Sequence, residues 1–119
     1  RVAADGTLWA GNGTTLYRSS DGGTTAAGWT SVKAFGSGKP VKGIGLAKND
    51  PEFLTVVCDD STPGDGSVWV SADAVTFELI PNLVNDGWNA AYFSQVDPNL
   101  VYIVGDDDTT RPVMAKLAP

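Results

Sequence analysis

The side chains of this 119-residue chain that are equipped for chemistry are carboxylates and aromatics. Asp59, Asp60 and Asp65 fall in one Gly- and Pro-containing segment, Asp86 stands two residues before Trp88, and Asp106, Asp107 and Asp108 are consecutive. Two carboxylates flanking a glycosidic bond can serve as general acid and as base or nucleophile. A tryptophan beside them can stack on a sugar ring. Clustered carboxylates can instead hold a hard cation such as calcium, although Asp106-Asp107-Asp108 lacks the alternating spacing of a calcium loop. The plainest reading is a set of solvated acidic loops. With no histidine and one cysteine, the chain holds no Ser-His-Asp or Cys-His nucleophile system and no His/Cys zinc set. It carries no phosphate loop and no dinucleotide fingerprint. No catalytic residue is assigned, and calcium is the one cofactor considered.

Charge narrows the partners. A formal net charge of −6 and an isoelectric point near 4.3 argue against nucleic acid. There is no polybasic run and no apolar stretch of about 20 residues, so membrane insertion is not expected. Cys58 lies in an apolar run and has no cysteine to pair with inside the chain, so it is expected to pack as a small hydrophobe. Asn12-Gly13-Thr14 is a glycosylation sequon, which fits a secreted or extracellular setting. The chain starts at Arg1 and not at methionine, and the expectation is a processed or partial chain.

Short apolar runs punctuated by Gly and Pro, with no long helical stripe, must position those loops. Eleven strands are expected in three sets. The first set reads Val2 to Ala4, Thr7 to Gly11, Thr15 to Ser19 and Trp29 to Val32. The second reads Val41 to Ala47, Leu54 to Cys58, Val68 to Ser71 and Phe77 to Ile80. The third reads Asn89 to Val96, Val101 to Val104 and Pro112 to Leu117. Trp9, Trp29, Trp69, Tyr17 and Tyr102 fall inside strands and are expected in the core.

Two repeats tie the sets together. Gly43 to Val57 matches Ala90 to Val104, with Asp50-Pro51 and Asp97-Pro98 lying 47 residues apart (97 − 50). Leu16-Tyr17-Arg18-Ser19-Ser20-Asp21-Gly22-Gly23-Thr24-Thr25, followed by Trp29, matches Val68-Trp69-Val70-Ser71-Ala72-Asp73-Ala74-Val75-Thr76-Phe77. In both, an apolar strand ends in Ser-x-Asp, and a Thr and an aromatic follow. The carboxylate can accept hydrogen bonds from the turn's own N–H groups. The first copy inserts Ala26-Ala27-Gly28 before its Trp, and the second has no Gly and carries Phe77 in the Trp position.

This pattern resembles the Asp-box, or bacterial neuraminidase repeat, Ser-x-Asp-x-Gly-x-Thr-Trp. The resemblance implies an all-β fold of β-propeller type, built from four-stranded antiparallel blades. A period of roughly 40–50 residues is one such blade. The chain would supply about two and three-quarter blades, near residues 1–33, 41–80 and 88–119, within a single module. A closed propeller typically has about four to eight blades, so further blades or an oligomer are the expected partners.

In propellers similar to this, the turns carrying the box lie opposite the ligand face. Ser19, Asp21, Gly23, Trp29, Ser71, Asp73 and Phe77 are then structural. The ligand face would carry Asp59, Asp60, Asp86, Trp88, Asp106 and Asp107. Xyloglucanase-like enzymes carry a catalytic Asp in a motif only loosely similar to Leu16–Gly23, and their second carboxylate lies in another domain. Catalysis is therefore not carried over to Asp21. Sialidases share the box, but their arginine cluster is not evident among Arg1, Arg18 and Arg111. The expectation is a module of a secreted or surface propeller that binds or processes polysaccharide, of the glycoside hydrolase kind if part of an enzyme. The alternative is a non-catalytic structural or adhesion module of a surface or virion protein.

Overall fold

A computed structural model describes residues 1–59, 66–81, 87–97, 100–106 and 112–117, with backbone alone for 106 and 112–117. The chain is all-β, and its described residues form three antiparallel sheets. The first is β1 (Leu8–Asn12), β2 (Thr15–Ser19) and β3 (Trp29–Ala34), in that order. The second runs β4 (Val41–Leu46), β5 (Leu54–Cys58), β6 (Ser67–Ser71) and β7 (Glu78–Leu79). The third is β8 (Gly87–Phe93), β9 (Val101–Asp106) and β10 (Pro112–Leu117). A single turn of 3-10 helix at Ala26–Gly28 holds the insertion before Trp29.

The middle sheet is covered on both faces, and β5 is buried along its whole length. All five residues of Leu-Thr-Val-Val-Cys are buried. Leu54, Val56 and Cys58 join a core cluster with Trp9, Leu16 and Phe35 from the first sheet's side. Val57, on the opposite face, joins Val68, Trp88, Ala91, Phe93, Val101 and Ile103. Period-2 alternation divides one strand between two cores, so no position is left for solvent, and Thr55 is its one polar residue.

The 47-residue offset holds at the level of atoms. The Ala47 N–H donates to the Phe53 carbonyl at 3.0 Å, and the Phe53 N–H to the Asp50 carbonyl at 3.3 Å. The Ser94 N–H donates to the Leu100 carbonyl at 2.8 Å, and the Leu100 N–H to the Asp97 carbonyl at 3.1 Å. Packing follows the same offset. Ile44, Leu46, Leu54 and Val56 face the first core, and Ala91, Phe93, Val101 and Ile103 face the second.

The strand at Val2 to Ala4 is reduced to one bridge, Val2 with Leu8. The turn at Asp5-Gly6 brings Arg1 and Ala3 beside Trp9 and Thr7, where Arg1 and Trp9 exchange two backbone bonds of 2.8 Å. Three residues are too few for a ladder. The strand expected at Phe77 to Ile80 shortens to Glu78–Leu79, because Phe77 leaves the ladder to pack beside Phe35 with ring centroids 6.1 Å apart.

β4 and β8 meet through small residues. A Cβ on Gly43 would lie 2.8 Å from the Ala90 Cα, and one on Gly45 would lie 3.1 Å from the Ala91 carbonyl oxygen. Only glycine lets these strands approach so closely. A bulge between Trp88 and Ala90 sets which side chains of β8 point toward the middle sheet.

Candidate functional site

The best-defined polar constellations are the two Ser-x-Asp turns. In the first, the Ser19 hydroxyl donates to Asp21 Oδ1 at 2.7 Å and the Thr25 hydroxyl to Asp21 Oδ2 at 2.7 Å. The Gly23 N–H reaches both Ser19 Oγ at 2.9 Å and Asp21 Oδ1 at 3.1 Å. Ser19 is fully buried at the end of β2, which anchors the turn to the sheet. The insertion is tied in by the Gly28 N–H donating to Thr25 Oγ1 at 3.0 Å.

The second turn reproduces the logic with different residues. The Ser71 hydroxyl donates to Asp73 Oδ1 at 3.1 Å, and the N–H groups of Val75 and Thr76 donate to the same oxygen at 2.9 and 2.7 Å. Ala74 takes φ +58° there, the left-handed conformation that Gly22 adopts at +71° in the first turn. Both carboxyls are held down to a pKa of about 2. For Asp21 the leading cause is the Ser19 hydroxyl, then that of Thr25. For Asp73 it is the Thr76 N–H, then that of Val75. A carboxylate saturated by local donors is a turn clamp and a poor base.

Of the residues expected on a ligand face, Asp59 is half-buried at the end of β5, where its N–H donates to the Pro40 carbonyl at 3.0 Å. Asp106 ends β9 and is in register with Gly87. It stands 47 residues after Asp59, so the repeat sets the two at matching ends of neighbouring sheets. Asp60, Asp65, Asp86, Asp107 and Asp108 lie outside the described residues. Trp88 requires a correction. It is 2% exposed and packs among Val57, Val68 and Ile103, so it stabilises the core and presents no ring to a sugar. Of the aromatics expected in the core, Trp9 is 2% exposed, and Trp29, Trp69, Tyr17 and Tyr102 are half-buried.

The fold also builds a groove of about 360 Å³ that the sequence does not announce. It lies between β1, β4 and β8 and is lined by Arg1, Gly11, Lys42, Asn89 and Tyr92 among others. The Arg1 Nε donates to the Ile44 carbonyl at 3.1 Å, and its guanidinium sits 4.9 Å from the centre of the Tyr92 ring. Two cations in a chain of net charge −6 mark this groove off from the acidic strand ends. Its lining comes from three sheets, so no local pattern encodes it.

Among the described residues no three His, Cys, Asp or Glu side chains converge as a metal site. No helix among them is long and apolar enough to cross a membrane. Comparison with family models, curated proteins and solved structures gives no match for this chain.

Proposed function

We propose that this chain is a non-catalytic, polysaccharide-binding module of a secreted or surface protein, with its three sheets arranged as blades of an Asp-box β-propeller. The observation that carries the reading is the pair of Ser-x-Asp turns. Both clamp a hairpin through a carboxylate with pKa near 2, and both close a β-strand of an all-β stack. The repeated Asp-Pro hairpin, with matching hydrogen bonds 47 residues apart, supports it further.

In this reading Asp21 and Asp73 hold turns. Sugar hydroxyls donate to the carboxylates of Asp59 and Asp106 foremost, with Asp60, Asp86 and Asp107 as further acceptors. Calcium is the competing ligand for the same oxygens. The chain acts here by binding and not by turnover, since Asp21 and Asp73, the best-defined carboxylates among the described residues, are held by their own turns. The alternative, a purely structural or adhesive module, is favoured by the burial of Trp88, which removes the one aromatic platform expected beside the acidic loops.

Calorimetric titration with xyloglucan oligosaccharides, and separately with calcium, tests the proposal. Weak sugar binding that Asp59→Asn and Asp106→Asn reduce, and that Lys48→Ala leaves unchanged, is the expected result. Sugar binding absent at millimolar concentration would leave the structural module as the better account.

A further inference from the structure

Asn12-Gly13 is the one Asn-Gly step in the sequence. It sits at the tip of the first hairpin, where Asn12 ends β1 in register with Thr15 and Gly13 begins the two-residue turn. Both residues are exposed. Gly13 takes φ +57°, and a Cβ built on it would meet nothing within 4 Å. No hydrogen bond to another described group holds the Asn12 amide. An unshielded main-chain nitrogen therefore stands next to an amide carbon that nothing restrains.

The comparable steps among the described residues lack one of these features. Asp5 and Asp21 also precede glycine. The Thr7 N–H donates to Asp5 Oδ1 at 2.9 Å. Asp21 is held through both oxygens by the Ser19 and Thr25 hydroxyls. A negatively charged carboxylate, moreover, repels a nitrogen nucleophile. Asn49 and Asn89 are exposed amides, but they precede Asp50 and Ala90. A Cβ on the following residue crowds the nitrogen that would have to attack.

We infer that Asn12-Gly13 is a site of spontaneous covalent modification, at which the chain converts its own asparagine to aspartate and isoaspartate. The Gly13 nitrogen gives up its proton and bonds to Asn12 Cγ. The Cγ–Nδ2 bond breaks, and Nδ2 leaves with that proton as ammonia. Water then opens the five-membered imide. Opening at Cγ leaves aspartate. Opening at the main-chain carbonyl leaves isoaspartate, whose main chain is one methylene longer. Nothing is oxidised or reduced, and water is the one co-reactant. Local opening of the hairpin tip supplies the freedom the ring needs.

The site bears on the fold through the next two carbonyls. The Gly13 carbonyl accepts the Val41 N–H at 2.8 Å, and the Thr14 carbonyl accepts the Phe35 N–H at 2.9 Å. These bonds tie the hairpin to the start of β4 and the end of β3, and an extra methylene just before them displaces both acceptors. Conversion also destroys the sequon, since an aspartate at this position accepts no N-linked glycan. The inference rests on the hairpin and is independent of sugar binding.

Incubation of the folded, unglycosylated chain at pH 8, followed by tryptic peptide mapping, tests it. The peptide from Val2 to Arg18 contains Asn12 as its one asparagine. It should become one dalton heavier over weeks and become a substrate for isoaspartyl methyltransferase, while Asn49 and Asn89 stay intact. Asn12→Gln keeps the amide but would need a six-membered ring, so its peptide should keep its mass. The converted protein, separated by its added negative charge, should melt below the fresh protein. Two results overturn the inference. One is an unchanged Asn12 in the folded chain when the excised peptide converts under the same conditions, which would mean that the hairpin protects it. The other is equal conversion at Asn49 or Asn89, which would mean that the glycine does not decide the site.

Discussion

Replacing Gly43 with Ala tests how closely β4 and β8 approach. Gly43 has no positive φ, so the added methyl brings no backbone strain, and alanine in a strand gains about 0.5–1 kcal/mol over glycine in conformational entropy. Against this, the new Cβ would stand 2.8 Å from the Ala90 Cα, 2.8 Å from Val57 Cγ2 and 3.1 Å from the Asn89 carbonyl oxygen. Two of the three obstacles are backbone, and the third belongs to a β-branched side chain that is stiff at χ1. Overpacking of this kind costs about 1–3 kcal/mol, and its upper part applies where backbone must move. The net loss is then about 2 kcal/mol.

An unfolding entropy of about 2.1 cal/mol/K per residue gives about 250 cal/mol/K for 119 residues, so the melting temperature should fall by about 8 °C. Gly13→Ala is the control. It has φ +57° and nothing within 4 Å, so it carries backbone strain alone, about 1 kcal/mol. Differential scanning calorimetry on both variants decides the matter. An unchanged melting temperature for Gly43→Ala, or a larger loss for Gly13→Ala, would show that the sheets stand further apart than described and refute the reasoning.

Three further outcomes are expected. Thr55 Oγ1 is buried without a hydrogen-bond partner. Thr55→Val keeps the shape and removes the orphan, so it should raise stability by about 1 kcal/mol in urea titration, and a loss would mean the hydroxyl is satisfied. Cys58 is fully buried, and burial pushes its thiol up to about 11, so it should resist iodoacetamide at pH 8 in the folded protein and react on denaturation. Asp21 and Asp73 have folded pKa values of about 2, below the ordinary aspartate value near 3.9. Their stabilisation is therefore complete above pH 4 and lost as pH falls toward 2. Melting temperature should drop across that window, and Asp21→Asn should flatten the drop, whereas an identical profile would remove the turn carboxylate from the account.

Much of the strand layout was legible because the repeat reports it twice. Leu54–Cys58 reads as an apolar strand, the structure buries it on both faces, and its 47-residue echo matches β9. Trp88 reads from the sequence as a loop residue before a strand starting at Asn89, whereas β8 starts at Gly87 and takes Trp88 into the sheet. Plain alternation would put Trp88 on the same face as Ala90 and Tyr92. The bulge at Asn89 shifts the register by one residue and puts Trp88 with Ala91 and Phe93 in the core. Nothing local in Trp88-Asn89-Ala90 signals that extra residue. The groove under Arg1 was illegible for another reason, since its lining is joined only when separate sheets meet.

The two turns show which part of a short motif carries the structure. Gly22 and Ala74 occupy the same left-handed position, yet only glycine adopts it without steric cost. The shared elements are the Ser hydroxyl, buried at the strand end, and the carboxylate two residues on, which collects hydroxyl and N–H donors. Those hydrogen bonds dictate where the backbone must turn, and Ala74, itself 4% exposed with its methyl in the core, follows. Its contribution to the core offsets the strain, which is why the second turn keeps its form without a glycine. The Ser-x-Asp pair thus specifies the hairpin, and the hairpin sets the pairing of the strands on either side of it.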